Sequence, residues 1–550
     1  MIGINYGYWF GDENIGDAAK VLSGKLVPEQ HFYPPLLNYI TAVSFAILYA
    51  VGRLLSFWYD LADFRAQYFS DPTAFYITAR LVVVLISSCV APLFYLIARE
   101  CGLKGRHAFL VGCLGVLIPG MVLLSHISKS DVPLSVCVIL VFYLSLKRLK
   151  QPKSFALDVF LGLGVALALS FKQSYIFILF PYFSIFLFCL YQKNKNFSLA
   201  LKSLSIMVFS AIFFWCIFNV GILLDFSNFL EYQKIQTVMS VRDDKNIVSG
   251  VMAWWAIASN AYFGIGALTV CVFLVSPLLF ILNKNTDSLS VRFLVLGFWL
   301  SLMVGSLIIM YLSGARQQSG LWIPYMTGMQ LIAILSLVMM FEASKGVLAV
   351  CLKVIASFFL LISLYGVVVV DKQALAKPIV LSVEQHLRQH YDVNKVKILS
   401  SFLLRSPQTA YMQKAEYDRH QRVADKYAVT LPERAQEKMM FLDKSNAINY
   451  FNMPVAFHGL ENSKDTDLEG VMKPYAWPLQ QEEWRLDYWL EKNFSVFVLA
   501  DHEYSLYKSK VSAIRSYHQE IKERCQLSKH FDAVKPLYIE FSATIYECAN

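Results

Sequence analysis

In the stretch Ala156–Tyr191, ALDVFLGLGVALALSFKQSYIFILFPYFSIFLFCLY, two apolar runs are separated only by Phe171-Lys172-Gln173. A helix crosses a bilayer with about 20 apolar residues, so two such runs with so short a break read as consecutive spans joined by a tight turn at the membrane surface. Outward from this stretch, further runs fall near residues 74–98, 108–124, 132–147, 199–224, 258–282, 292–311, 321–341 and 347–370, with a weaker one at 34–52. Of the 550 residues, 56% are hydrophobic and only 16% charged, against roughly 25% charged in an average soluble domain. A soluble enzyme and a disordered chain are thereby excluded. Beyond residue 371 the texture becomes mixed and charged, with an alternating stretch at Phe494–Leu499 and a helical one at Val511–Cys525. The reading is an α-helical polytopic membrane protein in three parts. Residues 1–73 form a first external loop with membrane-surface helices, 74–370 a transmembrane domain of about ten helices, and 371–550 an extracytoplasmic α/β soluble domain.

Charge placement orients the spans. Residues 371–550 carry 24 Lys and Arg against 24 Asp and Glu, so the formal excess of +9 belongs entirely to the hydrophobic part. Such a distribution argues for cytoplasmic loops facing anionic lipid, and against a nucleic-acid surface, which needs a basic patch clustered on a soluble domain. Arg99, Lys104 and Arg106 fall in one loop, Lys147, Arg148, Lys150 and Lys153 in another, and Lys193 and Lys195 in a third. With these inside, the N-terminal segment, Ser125–Asp131, Ser170–Tyr175, Asp225–Ile257, Ser313–Gly320 and the C-terminal domain lie outside. Parity then leaves 34–52 as a helix lying in or dipping into the outer leaflet, unless residues 53–73 contain a return.

The outer face collects the candidate chemistry. Asp12-Glu13 is an adjacent acid pair beside the membrane, and Asp131 stands in the short loop SHISKSDVP with His126 and Lys129 close by. A helix N-cap explains Asp131 equally well, since Val132-Pro133 follows it. Lys172 interrupts an apolar stretch, where a charge snorkels or serves a pathway. Arg316 lies outside, where the positive-inside rule disfavours it, and a guanidinium forks onto phosphate oxygens. His31 in HFYPP suits a metal ligand, a base or an interfacial packing residue. Asp225, Glu231, Lys234, Arg242, Asp243, Asp244 and Lys245 read as solvated loop charges, and Trp254-Trp255 as interface anchors. Of the ten cysteines, Cys525 and Cys548 are the two near the C-terminus; they pair if that domain is extracytoplasmic, or stand as two buried thiols. There is no CxxC, P-loop, HExxH or GxSxG in a workable context.

In order, these pieces resemble the polytopic GT-C glycosyltransferases, the group that includes protein O-mannosyltransferases and lipid A aminoarabinose transferases. The resemblance rests on Asp12-Glu13, then Ala18 or Ala19, Leu22, Gly24 and Pro28, then YPPLLNYI at 33–40, Ala79-Arg80-Leu81, SDVP at 130–133 and GLGVALALSFKQSY at 162–175. It implies a sugar donor carried on polyprenyl phosphate and a transfer that inverts the anomeric centre. The acceptor is lipid A, another glycan or a protein. It further implies Asp12 as general base with Glu13 beside it, and Asp131 in support. By the same resemblance Lys172 and Arg316 are expected to hold the donor phosphate, and His31, His126 and Lys129 are accessory candidates. No cofactor and no metal follows from the residues, although a divalent metal is compatible with the chemistry. A bacterial inner membrane with the site facing the periplasm fits best, and a further transmembrane helix is expected upstream. A transporter or lipid flippase is the rival reading, and a catalytically inactive scaffold a third. The chain shows no half-to-half repeat, and its charges gather at one face instead of the midplane.

Overall fold

The computed structural model describes residues 15–28, 31, 33–70, 73–151, 154–240, 247–259, 265–282, 289–313, 319–374, 379–392, 396–400, 451–452, 485–500, 512–532 and 542–548. The chain divides into two compact units, Met1–Val51 with Thr73–Ala374 and Gly52–Pro72 with Leu375–Asn550.

The first unit is helical. Its elements are α1 (Ile15–Leu22), α2 (Leu36–Leu54, whose last turn passes into the second unit), and, beyond α3 (Leu61–Ser70) of the second unit, α4 (Thr73–Ser88) and α5 (Val90–Glu100). Next come α6 (Gly105–Gly115), α7 (Pro119–Ser125), α8 (Asp131–Lys150), α9 (Phe155–Phe171), α10 (Ile176–Asn194) and α11 (Phe197–Phe218). The unit continues with α12 (Val220–Leu224), α13 (Phe226–Ser240), α14 (Ile247–Ala258), α15 (Ala267–Leu282), α16 (Leu289–Ser313), α17 (Ser319–Ala343) and α18 (Gly346–Ala374).

Among the described residues, eight helices are long and apolar enough to cross a membrane, α4 and α5 together supplying one of them. α6 and α7 form a further bent pair with an angle of 56°, and α9 and α15 are apolar but shorter. The apolar runs of the sequence thus become helices. Two differ from expectation. The run read as 258–282 becomes a helix from Ala267, and the segment 225–257, read as an outer loop, contains α13 and α14. α14 packs against α16, so adjacent residues point to different sides of the helix. Trp254 is buried and donates from Nε1 to Ser306 Oγ at 3.1 Å, whereas Trp255 stays exposed. Only Trp255 therefore suits an interface anchor.

α8 and α17 are buried over most of their length, while α11 and α18 turn most of their surface outward. α9 lies close against α11 because Gly162 lets it: a Cβ there would sit 2.5 Å from the Met207 carbonyl oxygen. The run at 34–52 is helical as α2, and its 19 residues are sufficient in length to cross.

In the second unit, α19 (Ile379–His390) precedes a mixed five-stranded sheet of β1 (Lys397–Ser400), β2 (Phe451–Asn452), β3 (Phe494–Ala500), β4 (Gln526–Phe531) and β5 (Ala543–Glu547). The order is β2-β1-β3-β5-β4, parallel through β3 and antiparallel beyond it. Tyr517, Ile521 and Cys525 recur every four residues along the helix Ser512–Arg524 and its end, and this stripe is buried with Phe497 and Tyr546. Cys525 and Cys548 form a disulfide, which settles the alternative left open by the sequence. Glu547, in β5, accepts from Tyr391 and Ser528, and these two bonds hold its carboxyl below the ordinary range.

Candidate active site

α8 runs for 20 residues, about 30 Å of helix, and each of its ends carries a buried acid–base pair. Asp131 is its first residue and is fully buried. Its Oδ1 accepts a hydrogen bond from Lys172 Nζ at 2.6 Å, and Lys129 Nζ lies 3.9 Å from Oδ2. Oδ2 itself receives no hydrogen bond. The capping reading of Asp131 is thereby set aside, since Ser130 takes the N-cap position, makes no side-chain cap bond, and has a buried hydroxyl with no partner.

Lys172 reaches this acid because the helix breaks there. α9 ends at Phe171, Lys172 is extended (φ −161°, ψ 126°), and a single turn, Gln173–Tyr175, leads into α10. An extended residue between two helices projects its side chain sideways instead of along either axis. The Tyr33 ring lies beside the same ammonium, 5.2 Å from Nζ to the ring centroid, within cation–π range. Residues 33, 129, 131 and 172, drawn from three separate stretches, therefore meet at one point.

His31 stands nearby in sequence and is also buried. Its Nε2 lies 2.8 Å from Asp225 Oδ2, and Asn228 donates to both oxygens of that carboxylate. Asp225 is thus engaged instead of solvated, a correction to the loop reading of this acid. The separation of 194 residues between the partners leaves no local signal of the pairing. His126 takes no part in the Asp131 pair; its Nδ1 bonds the Val122 carbonyl one turn back, at 2.7 Å. Asp12, Glu13 and Arg316 lie outside the described residues.

The opposite end of α8 has another character. Lys150 pairs with Glu100 at 3.0 Å, and Lys193 Nζ donates to the Leu149 carbonyl. Arg148, read from the sequence as a loop charge, is instead fully buried. Its Nε and Nη2 grip Asp158 at 2.6 and 3.0 Å, Nη2 also reaches Ser203, and Nη1 bonds the Gln151 carbonyl. Lys104 and His107 gather around Glu342. The sequence signal for Asp158 is an acid in the first turn of an apolar run, which demands an interior partner.

Among the described residues, no group of three His, Cys, Asp or Glu side chains is placed to hold a metal ion. What the Asp131 cluster can do is hold an anion. An ammonium has three donors; the one bonded to Asp131 keeps Lys172 fixed, and the others remain available to a phosphate oxygen.

The chain is thus an integral membrane protein with a polar site at one end of a helical bundle. Residues 33–236, which include Tyr33, Asp131, Lys172 and Asp225, match the family model described as dolichyl-phosphate-mannose-protein mannosyltransferase. Over that segment the resemblance to membrane glycosyltransferases of the GT-C type holds. Two solved structures show a distant likeness. One is the archaeal oligosaccharyltransferase AglB from Archaeoglobus fulgidus in complex with an inhibitory peptide and a dolichol-phosphate, with 10% identity, 96% of this chain and 70% of that chain covered, and a TM-score of 0.45. The other is ArnT from Cupriavidus metallidurans bound to undecaprenyl phosphate, with 11% identity, 97% and 94% covered, and a TM-score of 0.42. No curated protein sequence matches the chain.

Proposed function

We propose that the chain transfers a sugar from a polyprenyl-phosphate carrier to a hydroxyl or phosphate of an acceptor on the extracytoplasmic side of the membrane, with inversion at the anomeric carbon. The observation that carries this reading is the Lys172–Asp131 pair. It is buried, sits at the far end of α8 from Lys150 and Glu100, and falls within the segment matched by the mannosyltransferase family model. Departure of a polyprenyl phosphate builds negative charge, and a cation fixed in a dry site stabilises that charge more than water does. Lys172 is the cation, Asp131 holds its position, and Arg316 is assigned as a second contact to the phosphate. Asp12 is the base that takes the proton from the acceptor hydroxyl, with Glu13 beside it. The oxygen then attacks the anomeric carbon as its bond to the phosphate oxygen breaks.

A hexose is the sugar class favoured by the family description. Lipid A, another envelope glycan and a protein hydroxyl are the acceptor classes. A bacterial inner membrane with the site facing the periplasm agrees with the basic loops at the Lys150 end, and the Cys525–Cys548 disulfide favours an oxidising compartment for the C-terminal unit.

The test is mass spectrometry of lipids co-purified with Asp12→Asn and with the unmodified chain. A polyprenyl-phosphate sugar enriched in the variant is the expected result, and its mass identifies the sugar class. Absence of that lipid from both samples, in cells that make the carrier, would reject the reading.

A further inference from the structure

A buried imidazole ordinarily finds partners for both ring nitrogens, because an unmet one loses its water without replacement. His31 is 1% exposed and meets a partner on one side only: Nε2 faces Asp225, while Nδ1 is buried and bonded to no protein group. The partner decides where the proton sits. A carboxylate accepts, so Nε2 carries the hydrogen, and in the neutral ring Nδ1 then presents a bare lone pair.

This arrangement is held from several sides. Asn228 Nδ2 fixes both Asp225 oxygens at 2.9 and 3.1 Å, and the Phe229 backbone N–H donates to the Asp225 carbonyl. Phe229 and Tyr232 meet the imidazole edge-on, with centroids 6.1 and 5.9 Å away, and Gln233 donates to the His31 carbonyl. The ring is therefore not placed to turn and satisfy Nδ1. Two residues further on, Tyr33 lies beside the Lys172 ammonium, so the open lone pair is carried by the same short segment that borders the Asp131 cluster.

We propose that His31, oriented by Asp225, reads a carbohydrate hydroxyl: Nδ1 receives a hydrogen bond from a hydroxyl of the donor's sugar or of a sugar acceptor. This rests on the transferase reading. A lone pair takes a hydrogen and repels an ionised phosphodiester oxygen, so the group selects for the sugar and not for the carrier phosphate. Nδ1 is buried and bonded to no group of the chain, so it is the atom of this ring left to receive a hydroxyl hydrogen. A site that hydrogen-bonds a substrate hydroxyl rejects the analogue lacking it, because its own polar group is then left unmet.

The test uses the full chain in lipid nanodiscs with undecaprenyl-phosphate mannose, its singly deoxygenated mannosyl analogues, and octyl mannoside as acceptor. His31→Phe keeps an aromatic ring against Phe229 and Tyr232 and removes the nitrogen. Asp225→Asn keeps the imidazole but removes the carboxylate that fixes Nε2 as the protonated nitrogen, so Nδ1 is no longer held as an acceptor. If the hydroxyl belongs to the donor, both variants bind undecaprenyl-phosphate mannose roughly 10- to 100-fold more weakly. One deoxy donor then binds wild type and variants alike. If it belongs to the acceptor, donor binding is unchanged while KM for octyl mannoside rises by the same factor, with kcat nearly kept. Donor binding and acceptor KM both within twofold of wild type, at an unchanged melting temperature, would overturn the proposal and leave the transferase reading standing. A variant that merely melts lower while keeping both constants marks a packing role and overturns it too. A wild-type chain that neither binds nor transfers the donor would bring down the transferase reading, and this proposal with it.

Discussion

The two ends of α8 each bury an ion pair, yet the pairs are built differently. Arg148 and Asp158 are both fully buried; the guanidinium forks onto both carboxylate oxygens and spends further donors on Ser203 and Gln151. Four of the five guanidinium N–H donors are thereby engaged. At the other end Asp131 is fully buried but its partner lysine keeps some exposure, one carboxylate oxygen receives no hydrogen bond, and the Ser130 hydroxyl beside it is unmet. A saturated pair stabilises an arrangement of helices, whereas an unsaturated one has capacity for a ligand. Burial alone would have ranked the two alike; the count of unmet donors and acceptors separates them.

That contrast breaks if the two pairs respond alike to substitution. Asp131→Asn removes the charge that holds Lys172, and transfer is expected to fall about 10⁴-fold, or about 5 kcal/mol of transition-state stabilisation. The melting temperature should change little, as read from donor turnover beside a thermal melt. Asp158→Asn should do the reverse. It leaves Arg148 buried without its countercharge, at a cost to stability of about 4 kcal/mol, while turnover per folded molecule stays within about twofold of wild type. Equal loss of turnover in both would erase the distinction.

Another buried ionisable side chain, in the other unit, sharpens it. Burial, with Lys522 next in effect, pushes the His518 pKa down to about 4, so this ring sheds its charge where the paired groups of α8 are bound to countercharges. The unfolded chain protonates this histidine near pH 6.5 and the folded one only near pH 4. Stability is therefore unaffected above about pH 6.5 and falls between about 6.5 and 4, by up to about 3 kcal/mol. Glu547 adds to the loss in acid, since its lowered pKa contributes stability only while the carboxylate is charged. Melting of the chain across this range should show the decline, and His518→Gln should flatten it. The smallest effect is expected from Lys129, 3.9 Å from Asp131 and partly exposed. Lys129→Gln should slow transfer about threefold, under about 1 kcal/mol, and a loss as deep as that of Asp131→Asn would make it an equal partner of Lys172.

Much of this was legible in the sequence, and the boundary is instructive. Apolar runs gave the helices because membrane length is a local property of the chain, and the alternation at Phe494–Leu499 became β3 for the same reason. Asp131 and Lys172 stood out as charges beside apolar runs. Their bond did not, nor did the ties of His31 to Asp225 and of Arg148 to Asp158, since each joins side chains through packing of separate helices. Arg148 was misplaced because Lys-Arg-Leu-Lys reads as a loop cluster, and only the turn through Gln151 carries Asp158 back to meet it. Pairing across a fold leaves no periodicity.

The sheet order has a consequence for how the protein is made. β5, residues 543–547, lies between β3 and β4, and the bridge from Cys525 to Cys548 closes just beyond it. The strand synthesised latest fills an interior slot. The sheet of the second unit is therefore completed only after translation of those residues, with oxidation of the bridge as a late step, when the helices of the first unit have already been synthesised.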